Sequence, residues 1–395
     1  MSSKIDIYTK QPILRDSKEH VLPNFLGGRV QRNGLIDKQT NDMFGSSIDA
    51  KFDQATVAIR NLIDARSDRE PERPVPTIRN VVGADGRTYH IKAGGHVVLT
   101  PKLKTEEADG YLTVNGSVSE RGEISQALRK QAKSRGLDLS ALVERLWNTA
   151  STKLMFPPPM TFPFDLWDKS TYRAIAKIAC NWLASHEHSL FMQTEFDPIR
   201  EFVLNGAQPP TPPVQALDLD LRKEGLGPLD HFVSVEVFAD GRVRGVVVLF
   251  GVLAFGVRLA EVSRRIQPFH HSYRVDQLSH HDRQDHLADS ALDIEFFEIA
   301  AARSHEQFAN LVKLQGERLF PTIQELQENH LIHRIIKPYW DKLIANMGDG
   351  QEPSQKAKLE FSSEVARAIA DEMLPSIKAA SQERHQQSTT EHKDT

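Results

Sequence analysis

Near the start of the chain Glu19 and His20 set a carboxylate beside an imidazole, and Asn41 adds an amide further on. A carboxylate and an amide offer hard oxygen atoms that suit Mg²⁺ or Mn²⁺, an ion content to keep several of its waters. Such an ion polarises a scissile phosphodiester and stabilises the leaving oxygen. An imidazole, whose ordinary pKa is about 6.5, can take a proton from an attacking water near neutral pH. Together these side chains describe metal-assisted hydrolysis, with Glu19 and Asn41 as ligands and His20 as general base.

The elements that would position them can be read from spacing. Adjacent residues of an extended strand face opposite sides, so bringing Glu19 and His20 to one pocket requires a bend or a pair of short strands. Gly27-Gly28 can supply the bend. Phe44, Ile48 and Phe52 recur every four residues, which predicts a helix with Asn41 at its start. Strand, glycine turn, strand and helix then make a ββα unit.

The run Glu19-His20-Val21-Leu22-Pro23-Asn24-Phe25-Leu26-Gly27-Gly28-Arg29, followed by Asn41-Asp42-Met43-Phe44-Gly45-Ser46-Ser47-Ile48-Asp49, resembles a branch of the HNH endonuclease family. The resemblance spans about fifty residues; Glu-His alone is uninformative, whereas the joint pattern is specific. It implies a ββα-metal fold, Glu19 and Asn41 as ligands and His20 as base. It places the family's central, base-orienting asparagine on Asn33, with Asn24 the weaker alternative, and sets Arg29 against a phosphate. Many members brace this unit with a zinc ribbon of two cysteine pairs. Here Asp37 and Thr40 stand where the second pair would be, and no cysteine precedes Glu19. No structural zinc is expected, and packing of Ile7, Leu14, Leu22, Leu35, Ile36 and Phe44 must replace it.

The rest of the chain reads as α+β. With 395 residues, 39% hydrophobic and 26% charged, it is an ordinary globular composition. A net charge of −4 gives no global basic field, though a locally basic face could still meet DNA. The single cysteine, Cys180, excludes an internal disulfide or a cysteine-built zinc site. The opening residues have no apolar core, and the longest apolar run, Gly245 to Val257, is too short to span a bilayer, so no membrane insertion and a cytoplasmic location are expected. That run suits two buried strands with a bend.

The domain boundaries read as 1–66 for the HNH unit, 77–264 for an α+β accessory domain, 291–383 for a helical region and 384–395 for a disordered tail. The first unit should end in an amphipathic helix beginning near Phe52, and Ser67 to Pro76 marks a linker. Small antiparallel strands are expected over 77–116, helices over 119–135 and 138–152, a buried helix over Ser170 to His186, and a β-meander over His231 to Leu259. Residues 265–290 read as a mobile polar loop holding His270, His271, His280, His281 and His286.

Other constellations have blander explanations. His231 suits a core or edge histidine, and His186 and His188 a helix end. Phe162, Phe164 and Trp167 suit core packing. Arg264-Arg265 and the cluster Arg129, Lys130, Lys133 and Arg135 could track a DNA backbone, but a solvated face is favoured. The function expected is therefore a metal-dependent endonuclease nicking DNA, used as an effector of bacterial anti-phage defence with other defence proteins as partners. A double-strand break would need a homodimer or two nicks. The rival expectation is a catalytically decayed HNH protein acting as a DNA-binding or scaffold subunit.

Overall fold

Two short strands, β1 (Glu19–His20) and β2 (Gln31–Arg32), pair antiparallel with Glu19 opposite Arg32 and His20 opposite Gln31. The connection turns at Asn24–Leu26 and is capped by Gly27 in the left-handed region. Gly28 follows because a Cβ there would stand 2.0 Å from the Leu22 carbonyl oxygen. Helices α1 (Lys38–Ser46) and α2 (Ile48–Leu62) come next, with Asp37 capping α1 and Ser47 dividing the two. Phe44, Ile48 and Phe52 are buried, as their spacing predicts. Buried Arg60 of α2 pairs with Asp53 and lies over the Phe25 ring, which fixes the β1–β2 connection against the helix.

This computed structural model describes residues 4–65, 75–100, 104–108, 111–115, 160–161, 166–261 (without 221 and 223–224), 268–276, 281–283, 305–331, 336–345 and 353–373, with scattered positions from 122 to 133. The chain forms two compact units, one of residues 1–76 with 164–325 and the other of 77–163 with 326–395. This partition cuts the chain differently from the boundaries read in the sequence. The N-terminal residues share their unit with later helices and strands, and 77–163 stands apart from 164–264.

In the first unit, α3 (Lys169–His186) is the central helix. Its N-cap Asp168 accepts from the Thr171 amide, and every residue from Ala174 to Ala184 is buried. Helix α2 packs against it from one side, and a six-stranded antiparallel sheet from the other. Two short helices, α4 (His188–Phe191) and α5 (Asp197–Asn205), follow. The sheet runs β14-β13-β10-β11-β12-β9, formed by Val214–Leu217 (β9), His231–Val237 (β10), Val243–Leu249 (β11), Leu253–Ala260 (β12), Phe269–Asp276 (β13) and His281–Arg283 (β14). Gly245 lets helix and sheet meet closely, since a Cβ there would lie 3.1 Å from that of Ala179. Helix α6 (His305–Leu331) contributes buried Leu311, Leu319 and Ile323, and Trp167 packs edge-on against Phe308.

In the second unit, β3 (Ile78–Gly83), β4 (Thr88–Lys92) and β5 (His96–Leu99) form a meander joined by β8 (Met160–Thr161). β6 (Lys104–Ala108) and β7 (Tyr111–Asn115) make a separate hairpin. Helices α7 (Lys337–Ala345) and α8 (Gln355–Met373) meet through Trp340 and Phe361.

The fold is α+β, and the expected meander and buried helix are present. One expectation fails: the polar stretch read as a loop contains β13, a full sheet strand paired along β10. Its residues alternate, and Tyr273 and Val275 on one face are buried. His270, Arg274 and Asp276 on the alternate positions, and His271 beside Tyr273 on the same face, masked that period. Most of the helices expected at 119–152, together with Lys130, Arg135, Phe162, Phe164, Arg264, Arg265, His280, His286 and the 384–395 tail, lie outside the described residues. No described helix is long and apolar enough to cross a membrane.

His231 sits in the core, 1% exposed, where Nδ1 accepts from the Phe250 amide at 3.2 Å. Burial, with Arg60 nearby, pushes its pKa down to about 3. Its folded value lies below the unfolded one, so the neutral ring contributes stability that is lost as pH falls from about 6.5 toward 3, on the order of 5 kcal/mol in all. Thermal unfolding of the parent should show that acid slope. His231→Gln, which keeps an acceptor but does not titrate, should flatten it; an unchanged slope would remove His231 from the account.

Candidate functional site

Glu19 is only 3% exposed, and its surroundings come from α3. Lys177 Nζ lies 2.6 Å from Glu19 Oε1, and Asn181, one turn along, donates to the same oxygen at 2.9 Å. Asn181 also donates to the His20 carbonyl at 3.3 Å, while its own carbonyl accepts from the Tyr8 hydroxyl at 2.8 Å. Lys177 has a second anionic partner, Asp49 Oδ2 of α2 at 2.9 Å, and stands over the Phe44 ring. The i,i+4 spacing of Lys177 and Asn181 aims both from one face of α3 at Glu19.

Two carboxylates thus face one ammonium. Burial raises the Glu19 pKa, Lys177 opposes the rise and Asp49 adds to it. Burial alone would lower Lys177, but attraction to Glu19 and Asp49 overrides it and keeps this amine protonated well above its ordinary range. Burial likewise pushes the Tyr8 hydroxyl up, with Cys180 and Glu19 adding to the rise, so Tyr8 remains a donor. With both acids ionised the cluster carries one negative charge in excess.

His20 is buried and meets its cross-strand neighbour, Gln31 Nε2 standing 2.9 Å from His20 Nε2. With the amide so placed Gln31 donates, which leaves the lone pair on Nε2 and the proton on Nδ1. Asn41, in the first turns of α1, donates to Ser17 Oγ at 2.5 Å, two residues before Glu19. Asn33 is exposed in the turn after β2, and it is Gln31 that contacts the His20 ring. Arg29 is exposed, and its backbone amide donates to the Tyr273 hydroxyl at 3.4 Å.

Among the described residues no group of three or more His, Cys, Asp or Glu gathers in a way that could hold a metal. The donors nonetheless fit a hard divalent ion in kind. Asn41 turns its nitrogen toward Ser17, and both described contacts of Glu19 go to Oε1. Mg²⁺ needs only one or two protein oxygens when waters and a phosphate complete its shell.

Lys177, Asn181, Tyr8 and Gln31 were not singled out in the sequence. A signal existed for two of them, since Lys177 and Asn181 are polar intruders one turn apart in an otherwise apolar helix. Asp49 belongs to the motif but had no role assigned.

The packing that holds the N-terminal segment is partly apolar and partly polar. Ile7, Leu22, Leu35, Ile36 and Phe44 are buried, whereas Leu14 is 87% exposed and contributes no packing. Instead the residue 14 backbone is held by Asp37, whose Oδ2 accepts from the Leu14 and Arg15 amides at 2.8 and 2.9 Å. Asp37 Oδ1 meanwhile caps α1 through Gln39, and Asp6 Oδ2 accepts from the Asp37 amide at 2.8 Å. These backbone donors, Arg15 first, hold the Asp37 carboxyl below the usual range. Asp37→Ala should therefore lower the melting temperature at neutral pH, and the difference from the parent should shrink as acid protonates Asp37. Equal melting temperatures at pH 7 would refute that role for Asp37.

No family model matches the chain, and neither a curated protein nor a solved structure resembles it significantly.

Proposed function

We propose that residues 1–66 form an HNH-type endonuclease unit that hydrolyses DNA phosphodiester bonds. The observation that carries this reading is the antiparallel pairing of Glu19-His20 with Gln31-Arg32, beside a helix whose Asn41 is tied to Ser17. The order strand, glycine turn, strand, helix along the chain supports this reading.

Glu19 and Asn41 would hold Mg²⁺ or Mn²⁺, which would supply charge stabilisation at the scissile phosphate. His20 acts as base in this reading, and the Nε2 that would take the proton must first give up the hydrogen bond it accepts from Gln31. Gln31 orients the ring, the role the resemblance gives to Asn33. Exposed Arg29 meets a phosphate outside the pocket. One such unit cuts one strand, so a double-strand break requires a homodimer or successive nicks. The biological setting that suits a small nuclease unit with a large remainder is cytoplasmic anti-phage defence, alongside other defence proteins.

A second reading, a decayed HNH protein that binds DNA or scaffolds partners, is favoured by the burial of Glu19 against Lys177. Plasmid nicking with Mg²⁺ and Mn²⁺ separates the two. The enzyme reading expects nicking by the parent, abolished by EDTA and reduced by roughly 10²-fold or more in His20→Ala. If parent and His20→Ala both leave supercoiled plasmid intact while retarding it equally on a gel, the second reading replaces the first.

A further inference from the structure

The deep placement of a lysine on the carboxylate assigned to the metal has a consequence for how that site loads. We propose that Lys177 is a latch: its ammonium holds Glu19 in the metal-free protein and passes to Asp49 when a divalent cation binds. The inference rests on the metal-dependent reading above. An ammonium and a divalent cation on one carboxylate repel each other strongly in a buried, low-dielectric setting. The two cations therefore compete for Glu19.

The structure also offers the displaced ammonium a destination. Lys177 already reaches Asp49 Oδ2 at 2.9 Å, and buried Asp49 Oδ1 has no hydrogen-bond partner among the described residues. A lysine ammonium has three donors, so the N–H released by Glu19 can turn to Oδ1 without leaving the pocket. Nothing else need move far. Helix α3 is held by its buried length, and Asn181 stays anchored by Tyr8 and the His20 carbonyl. The latch thus makes metal affinity depend on Asp49, a residue with no place among the proposed ligands.

Mn²⁺ binding to the purified full chain without DNA, followed by calorimetry, tests this with no appeal to activity. Lys177→Met should bind Mn²⁺ at roughly tenfold lower concentration than the parent, equivalent to about 1.4 kcal/mol. Asp49→Asn should bind more weakly, because the ammonium loses its destination. In the Lys177→Met background the Asp49→Asn effect should vanish, whereas simple charge addition would leave it intact. Should Lys177→Met fail to fold, Lys177→Arg should weaken binding, since a guanidinium fork grips both carboxylates. Additive effects, or equal affinity in all variants with loss only in Glu19→Gln, would overturn the latch and leave the metal site standing. No Mn²⁺ binding by any variant would overturn the metal-dependent reading and the latch with it.

Discussion

Taking a carboxylate out of water costs several kcal/mol unless an opposite charge and hydrogen bonds go with it. Glu19 lies in the core of its unit, and the groups that compensate it are 158 and 162 residues away along the chain, on Lys177 and Asn181. The N-terminal segment therefore cannot bury Glu19 by itself. It must dock on α3, and α3 must in turn be held in place by the sheet behind it. Tyr8, Glu19, Asp49, Lys177 and Asn181 form one continuous polar knot within apolar surroundings. Removing Lys177 leaves two buried acids without their shared cation, so the knot ties strand, helix and segment together.

Backbone hydrogen bonds add to that dependence. Two carboxylates, Asp6 and Asp37, gather backbone amides from neighbouring parts of the N-terminal segment. Such bonds are directional and specify geometry, but each contributes only about 0.5–1.5 kcal/mol net. The larger stabilisation comes from the burial of Ile7, Leu22, Ile36 and Phe44, the last lying under Lys177 of α3. This arrangement makes the N-terminal segment part of a larger body rather than a unit closed on itself.

Much of the fold was legible. The buried helix around Ala174 to Ala184, the paired strands on either side of Phe250-Gly251 and the glycine turn after Leu26 follow from period, composition and turn chemistry. Strand β13 was not, because Phe269, Tyr273 and Val275 are interleaved with histidines, an arginine and an aspartate whose polarity outweighed the alternation. For the candidate site, Glu19, His20 and Asn41 could be named from type and spacing. Gln31 could not, since only strand register sets it opposite His20.

What the sequence alone determined was local: the turn at Gly27-Gly28, helical conformation around Phe44 and Phe52 though not the break at Ser47 between them, and the chemistry open to a carboxylate, an imidazole and an amide. Those follow from steric limits and side-chain type, which act over a few residues. Tertiary structure decided which charge faces which. That Glu19 meets Lys177, that Asp49 shares the same ammonium and that Asn33 faces solvent depend on how a helix far along the chain packs against the N-terminal segment. Buried electrostatics are settled by distance in space, and neither pattern nor propensity encodes it.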